Sequence, residues 1–378
     1  MRDDLTRAVL AHAEVARYLR GDVGRSAGDV ETRVRKYLDE LQTTQRYPFY
    51  RALKHPLYPI LRKIRRIDER IDIVKQATAA GRVVYVSNHK SHTDYLIELL
   101  VIDDNGVRPP LIAAGINLFG GPLGLLHRHV TGAVPIRRDT RDPAYLATLK
   151  AYIAELLRRR DLFFYLEGGR SYSGELKPPK TGLLHAALLA VEAEPVVIPT
   201  AIAYDLVLED HMLARQAGRR RHRPFAAEVA EMVRYAVGYR SRAFVTFGPP
   251  IRLSDYDPGS RRDALVLAHE IRTRIGLLYK VLPTAILAVA MRPSATRREL
   301  EERADAVVAK LRSSGANLAV ATGRQAVEEG TEALVRRSVV VVERGGRYRV
   351  RSRSVLRYYA RTIAHLLSPS TDPHSRTH

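Results

Sequence analysis

The sequence predicts an α/β fold: a central mixed sheet covered by helices, with a helical segment before it and a mainly helical segment after it. Three observations carry that reading. Five short apolar runs, β-branched or aromatic and of strand length, lie between Arg82 and Phe247. Helical apolar spacing, as in Tyr145–Leu157, separates several of them, and alternation of this kind builds sheets with helices on their faces. Apolar residues spaced for amphipathic helices mark both flanks.

Taken in order, Leu5, Val9, Val15 and Leu19 share a face of a first helix, and GDVGRSAG breaks it. Asp29 is a suitable N-cap for a second helix, with Val30, Val34, Tyr37, Leu38 and Leu41 at helical intervals. From Tyr47 to about Lys75 apolar and basic residues mix, as on a packed helix with a charged face or on an anionic bilayer surface. The strand-like runs are VVYV (83–86), AVPI (133–136), LFFYL (162–166), PVVIPTAIAY (195–204) and AFVTF (243–247). After Asp255 helices return: Thr296 and Glu299 have capping-box spacing, VVVVERGGRYRV reads as a hairpin, and a last helix ends near Leu367. The reading divides the chain into a helical region (1–77), an α/β domain (78–255), a mainly helical region (256–367) and a disordered tail (368–378).

Composition narrows the chemistry. The 378 residues contain 62 Lys+Arg and 41 Asp+Glu, a formal charge of 62 − 41 = +21. Such a surface attracts nucleic acid, an anionic bilayer or phosphorylated metabolites. The chain has no Cys, which excludes disulfides, thiolate–metal sites and a cysteine nucleophile. The charge-free run Pro109–Leu126 is too rich in Pro and Gly for a simple membrane span. The N-terminus lacks the apolar core of a signal peptide, so a cytosolic or peripherally membrane-bound protein is expected. The basic cluster RQAGRRRHRP (215–224) admits nucleic-acid binding, but aromatic residues do not alternate with its cations as stacking platforms would, and nucleic acid is not the expected partner.

Four segments can carry chemistry. In RVVYVSNHKSHTDYL a strand delivers His89 into a loop, and Ser91 or Thr93 starts a helix carrying Asp94. A carboxylate on one ring nitrogen fixes the tautomer and leaves the other free to accept a proton. Alone, this spacing is more often a loop histidine satisfied by a nearby acid. His89 and His92 lack a third ligand at useful spacing, so no metal is expected. In GAVPIRRD, Arg137 and Arg138 end a strand and could clamp a phosphate, although taken alone a solvated surface pair explains them better. In FFYLEGGRSYSGELKPPK an apolar strand delivers Glu167, Gly168, Gly169, Arg170 and Ser171, with Lys177 and Lys180 beyond. Glycines there let backbone approach a ligand. In VVIPTAIAYD, Pro199 interrupts an apolar run, which suggests an edge or a bulge.

Together and in this order, HKSHTDYL, GAVPIRR, YLEGGRSYSG and VVIPTAIAY resemble the four motif blocks of the glycerolipid acyltransferases, most nearly the glycerol-3-phosphate acyltransferase branch. AAGINLFGGPLG, FGPPIRL and VLPTAILAVA extend the likeness, from about Tyr47 to Met291. The resemblance implies transfer of an acyl group from acyl-CoA or acyl carrier protein to glycerol 3-phosphate, without a cofactor. Since the acyl chain and product are lipids, a peripheral place on an anionic membrane surface, at the cytoplasmic face of the cell membrane, is expected. It implies that His89 is the base and Asp94 its partner, with Glu167 in the catalytic group. Arg138, Glu167, Gly168, Arg170 and Ser171 would form the acceptor site, Arg137 and Lys180 would assist, and Pro199 would shape the pocket. One position departs: Tyr172 stands where the family usually has Arg.

Overall fold

The computed structural model describes residues 2–21, 27–45, 63–116, 119, 132–138, 140–217 and 240–368. Three N-terminal helices, α1 (Arg2–Ala11), α2 (Ala13–Gly21) and α3 (Ala27–Leu41), precede the sheet. Then follow β1 (Ile64–Glu69), α4 (Ile71–Ala80), β2 (Val83–Ser87), α5 (Asp94–Asp104), β3 (Leu111–Gly115), β4 (Ala133–Ile136), α6 (Pro143–Leu157) and β5 (Leu162–Tyr165). The domain continues through α7 (Gly182–Leu188), β6 (Val196–Tyr204), α8 (Asp210–Gln216), β7 (Ser241–Phe247) and β8 (Ile251–Arg252). The C-terminal part holds α9 (Arg261–Leu278), α10 (Pro283–Ala290), β9 (Ser294–Ala295), α11 (Arg297–Ser313), α12 (Gly323–Arg336), β10 (Val340–Val342), β11 (Tyr348–Val350), α13 (Arg353–Arg361) and α14 (Ala364–Leu367).

The sheet is mixed, in the order β1-β7-β6-β2-β5-β3-β4 with β8 beside β6. Strands β6, β2, β5, β3 and β4 run parallel, and β7 is antiparallel to β6. Every residue of β2 is buried, which is why VVYVS reads as a continuous apolar run rather than an alternating one. Asp161 accepts a hydrogen bond from the Val83 amide (2.9 Å) and binds the Arg108 guanidinium, while its carbonyl accepts from Leu111 N (2.9 Å). The starts of β2, β3 and β5 are thereby tied together, so their C-terminal ends open on one edge of the sheet. Helices α1–α3 pack on α6, and α9 packs on β6 and α7. The mixed α/β architecture of the sequence reading is the observed one.

Several expectations differ in detail. The first helix is two, α1 and α2, broken at His12, whose Nδ1 accepts from Glu14 N (3.3 Å). Asp29 lies inside the first turn of α3 rather than capping it, while Val30, Val34, Tyr37, Leu38 and Leu41 are all buried as the periodicity predicts. The stretch read with the helical region contains β1, a sheet-edge strand whose sequence IRRIDE spaces its isoleucines three apart, as a helix would. Strand β3 lies in the Pro109–Leu126 run, where small residues (LIAAG) hide strand character. Pro199 is not at an edge. It pairs with Val86 inside the sheet, and its carbonyl accepts from Gly248 N (2.8 Å), where β7 gives way to β8 through Pro249 and Pro250. A strand residue's N and O point the same way, so the missing N–H faces this interruption and costs no ladder bond. Most of the basic stretch after Tyr47, positions 117–118 and 120–126 of the glycine-rich run, 218–224 of the basic cluster and 369–378 of the tail lie outside the described residues.

The C-terminal region is fastened to the α/β domain through Asp210, at the start of α8. Arg337 donates to Asp210 Oδ1 (2.6 Å) and to the Leu208 carbonyl (2.6 Å), and Tyr359 donates to Asp210 Oδ2 (2.7 Å) while accepting from Val207 N (3.0 Å). Asp210 is fully buried. Arg337→Ala leaves that carboxylate without its cation and is expected to cost about 3–5 kcal/mol, read as a lowered urea midpoint.

Candidate active site

The site lies at the C-terminal ends of β2 and β5, where ligands gather in open α/β sheets. Past the end of β2, the Asn88 amide donates to the Ile202 carbonyl (3.0 Å) and accepts from Ile202 N (2.8 Å), so β6 holds the chain flat until His89 leaves the sheet. His89 Nδ1 is 2.8 Å from Asp94 Oδ2. The same Oδ2 accepts from the Lys90 amide (2.6 Å) and the Ser91 amide (2.8 Å), and Oδ1 accepts from the Tyr204 hydroxyl (2.7 Å). The turn is therefore closed by the Asp94 side chain at the start of α5. Thr93, at the cap position, makes no side-chain cap; its hydroxyl pairs with that of Ser91 (2.9 Å).

An ionised carboxylate can only accept, so Nδ1 carries the ring proton and Nε2 presents its lone pair. No described residue hydrogen-bonds Nε2, and the side chain is 13% exposed. Burial, reinforced by Arg170, His92, Arg138 and Lys177, holds the imidazole well below its ordinary pKa. Burial raises Asp94 to about 6 against the donors that lower it, which leaves it ionised at neutral pH. The ring is thus a neutral base.

The loop after β5 wraps this histidine. Glu167 is buried, with Oε1 accepting from His89 N (3.2 Å) and Oε2 from Lys177 N (3.2 Å), so its carboxylate braces two stretches of backbone. Ser171 N donates to the His89 carbonyl (2.9 Å), and its hydroxyl donates to Glu175 O (2.6 Å). Gly168 has φ +65°, which glycine adopts freely, and a Cβ there would meet Lys180 Cγ at 3.1 Å. Gly174, at φ +89°, passes so close to α13 that a Cβ would lie 2.2 Å from the Tyr358 carbonyl oxygen. Lys180 itself is exposed.

The cations divide by role. Arg138 is exposed, with Nη1 3.6 Å from the place a Gly169 Cβ would occupy. Lys177 Nζ donates to the Gly169 carbonyl (3.1 Å). Arg170 is buried, 3.7 Å from Glu209 and with its guanidinium 5.3 Å from the centre of the Tyr172 ring. Arg138, Arg170 and Lys177 all act electrostatically on His89. Arg137 points elsewhere: Nε and Nη2 grip Glu40 of α3 at 2.7 and 2.5 Å, between the rings of Tyr37 and Tyr145. It docks the N-terminal helices. Pro199, in register with Val86, is three residues of strand away from the His89 loop.

Five residues of the site were missed in the sequence, four of them buried and Tyr165 half-buried. Lys90 Nζ donates to the Gly174 carbonyl (2.6 Å), pinning the two loops together. Glu209 accepts from Ser91 Oγ (2.8 Å) and His92 N (2.7 Å) while facing Arg170. Tyr204 holds Asp94, Tyr165 stacks on His89, and Glu98 holds Tyr165. Glu98 left a trace: it is a carboxylate four residues after Asp94, within the apolar stretch LIELLVI of α5.

Residues 68–203 match the protein family described as Acyltransferase. They form an acyltransferase-family domain. The matched span runs from the end of β1 nearly to the end of β6 and so contains the whole His89–Asp94 and Glu167–Ser171 constellation. The chain is 32% identical over 243 residues to a glycerol-3-phosphate acyltransferase of Aeromonas hydrophila, covering 62% of this chain and 30% of that protein. It is 34% identical over 232 residues to one from Pasteurella multocida, covering 59% of this chain and 28% of that protein. The chain therefore spans less than a third of the length of these two curated relatives. A solved structure, a 1-acyl-sn-glycerophosphate (LPA) acyltransferase from Thermotoga maritima, is similar at 16% identity with a TM-score of 0.33, covering 72% of this chain and 95% of that one.

For the acyltransferase domain the electrostatics yield a measurement that needs no substrate. Followed by NMR, His89 is expected to titrate below the ordinary 6.5. Arg138→Gln removes a cation that disfavours the imidazolium, so it is expected to move that pKa upward. An unchanged or lowered value would place Arg138 too far away to act.

Proposed function

We propose that the chain transfers a fatty acyl group from acyl-CoA or acyl carrier protein to a hydroxyl of glycerol 3-phosphate, giving lysophosphatidic acid for phospholipid biosynthesis. The observation that carries this reading is a neutral imidazole fixed through Nδ1 by a buried carboxylate, with its other nitrogen open beside a group of cations. The names of the relatives support the acceptor.

In this mechanism Nε2 takes the acceptor hydroxyl proton as that oxygen attacks the thioester carbonyl. The new C–O bond gives a tetrahedral intermediate; its collapse breaks the C–S bond, and the imidazolium returns the proton to the departing thiolate. Asp94 keeps the tautomer and stabilises the transient imidazolium. Arg138, Arg170 and Lys177 hold the acceptor phosphate and so bring its hydroxyl to the base, a proximity effect. Lys180 lies on the exposed side of the same loop and can extend the grip; Gly168, Ser171 and Glu167 shape the loop, and Pro199 sets the strand behind it. Arg137 contributes only by anchoring α3 unless Glu40 is displaced. The step needs neither a metal nor a cofactor, since imidazole moves the proton and guanidinium groups meet the charge. Because acyl chains and products are lipids, we place the protein peripherally on an anionic membrane surface, at the cytoplasmic face, a placement the charge of +21 favours. Among the described residues no helix is long and apolar enough to cross a membrane.

A second acceptor is favoured by one observation, the Tyr172 ring lying against Arg170. There an aromatic face stands where another guanidinium would add phosphate affinity, so a lysophospholipid or dihydroxyacetone phosphate is the competing acceptor. Acyl transfer by purified protein, with the acceptors compared at equal concentration, separates the two; a clear lysophosphatidate preference would overturn glycerol 3-phosphate.

In the same assay His89→Ala is expected to lower kcat by about 10²–10⁴, the usual worth of a positioned general base. Arg138→Gln is expected to raise the glycerol 3-phosphate KM about tenfold or more, since a hydrogen bond to a charged group contributes about 1.5–3 kcal/mol. Wild-type turnover by His89→Ala would sink the base assignment.

A further inference from the structure

Asp94 touches the His89 ring at one point, which leaves the imidazole able to pivot about that hydrogen bond. A second contact removes the freedom. The Tyr165 ring lies flat against the imidazole, with centroids 3.9 Å apart and planes 8° from parallel. Tyr165 ends β5 directly opposite Ser87, two residues before His89 on the neighbouring strand. Its hydroxyl donates to Glu98 Oε2 (3.0 Å), and Glu98 Oε1 accepts from Ser87 Oγ (2.5 Å). The ring edge is also set by Phe163, 5.3 Å away and nearly perpendicular. Glu98 and Ser87 are fully buried.

The contacts close a circuit: Ser87 leads along the chain to His89, His89 stacks on Tyr165, Tyr165 is held by Glu98, and Glu98 returns to Ser87. A carboxyl group in apolar surroundings is costly to keep, and burial together with Asp94 pushes Glu98 well above its ordinary pKa. Here its two oxygens are spent on holding an aromatic face against the base.

We propose that Tyr165 is a positioning residue for the acyl-transfer step, its ring face fixing the plane of His89 so that Nε2 points at the acceptor hydroxyl, with Glu98 anchoring it. This rests on the acyl-transfer reading for its kinetic consequence but not for its structural one. The face does the positioning and the hydroxyl only tethers that face to Glu98, so phenylalanine can replace it in large part and an aliphatic residue cannot.

The test compares wild type, Tyr165→Phe and Tyr165→Leu by two readouts. With acyl-CoA and glycerol 3-phosphate, Tyr165→Leu is expected to lose about tenfold to a hundredfold in kcat with both KM values within about twofold, because misplacement of a base costs turnover rather than binding. Tyr165→Phe is expected to recover most of that turnover. By proton NMR, the low-field His89 Nδ1–H resonance, assigned by its loss in His89→Ala, is expected to persist in Tyr165→Phe and to broaden or vanish in Tyr165→Leu. Should Tyr165→Leu fail to fold, as judged by loss of a cooperative melt, Tyr165→Met takes its place. The proposal is overturned if the aliphatic variant keeps its kcat, if it keeps the resonance, if its KM values rise as much as its kcat falls, or if phenylalanine is as impaired as leucine. Should wild type transfer no acyl group to glycerol 3-phosphate, the functional reading fails on its own, and the resonance alone decides the role of Tyr165.

Discussion

The site depends on one buried carboxylate. Asp94 accepts from the His89 ring, two consecutive backbone amides and the Tyr204 hydroxyl, which uses both of its oxygens. Each donor reports a different part of the chain: the histidine the end of β2, the amides the turn into α5, and the tyrosine the end of β6. One group thus fixes a loop, a helix start and a ring tautomer. Fully buried, it would be expensive as an unpaired charge, and the donors are what keep it ionised at neutral pH. The four-residue gap between His89 and Asp94 follows from this geometry, since the intervening amides have to curl around the carboxylate.

Around that centre buried acids brace the loops, while among the cations Arg138 is exposed, Lys177 half-buried and Arg170 buried against Glu209. Glu167 accepts the His89 and Lys177 amides and so ties two loops, and Glu209 accepts the His92 amide while facing Arg170. Lys90 reverses the pattern, donating from the histidine loop to the carbonyl of Gly174. The C-terminal region enters here as support. Arg272 of α9 donates to the carbonyls of Leu176 and Lys177, α13 leaves no room for a side chain at position 174, and Tyr359 and Arg337 hold the turn carrying Glu209. The helices after Asp255 are thereby part of the scaffold of the site, a connection that no local motif displays.

What could be read from the sequence divides along the same physical line. Buried parallel strands announce themselves as apolar runs, and residues that must leave the sheet to meet a ligand interrupt those runs, so β2, β5 and β6 and the loops carrying His89 and Glu167 were legible. Strand β1 was not, because an edge strand keeps polar residues and its isoleucines mimic helical spacing. The arginine pair looked equivalent as neighbours. In three dimensions successive residues leaving β4 face opposite ways, and this sends Arg137 to Glu40 while Arg138 turns toward Gly169. Tyr165, Tyr204 and Glu209 were invisible for a further reason: their partners lie 67 to 118 positions away, and pairing at that range is set by strand order rather than local pattern.

The electrostatics of the site then have a direction. Burial and the surrounding cations favour the neutral ring, so His89 is a weak base. Under the proposed function, the acceptor brings a phosphate to those same guanidinium and ammonium groups. Their charge is then directed to the phosphate, its repulsion of a developing imidazolium falls, and the base strengthens when its substrate arrives. On that proposal Arg138 and Arg170 serve two states with one charge, keeping the ring unprotonated before the acceptor binds and easing its protonation afterwards. Arg137, neutralised by Glu40, takes no part in this exchange, and so the neighbouring arginines differ in function although they differ by one position.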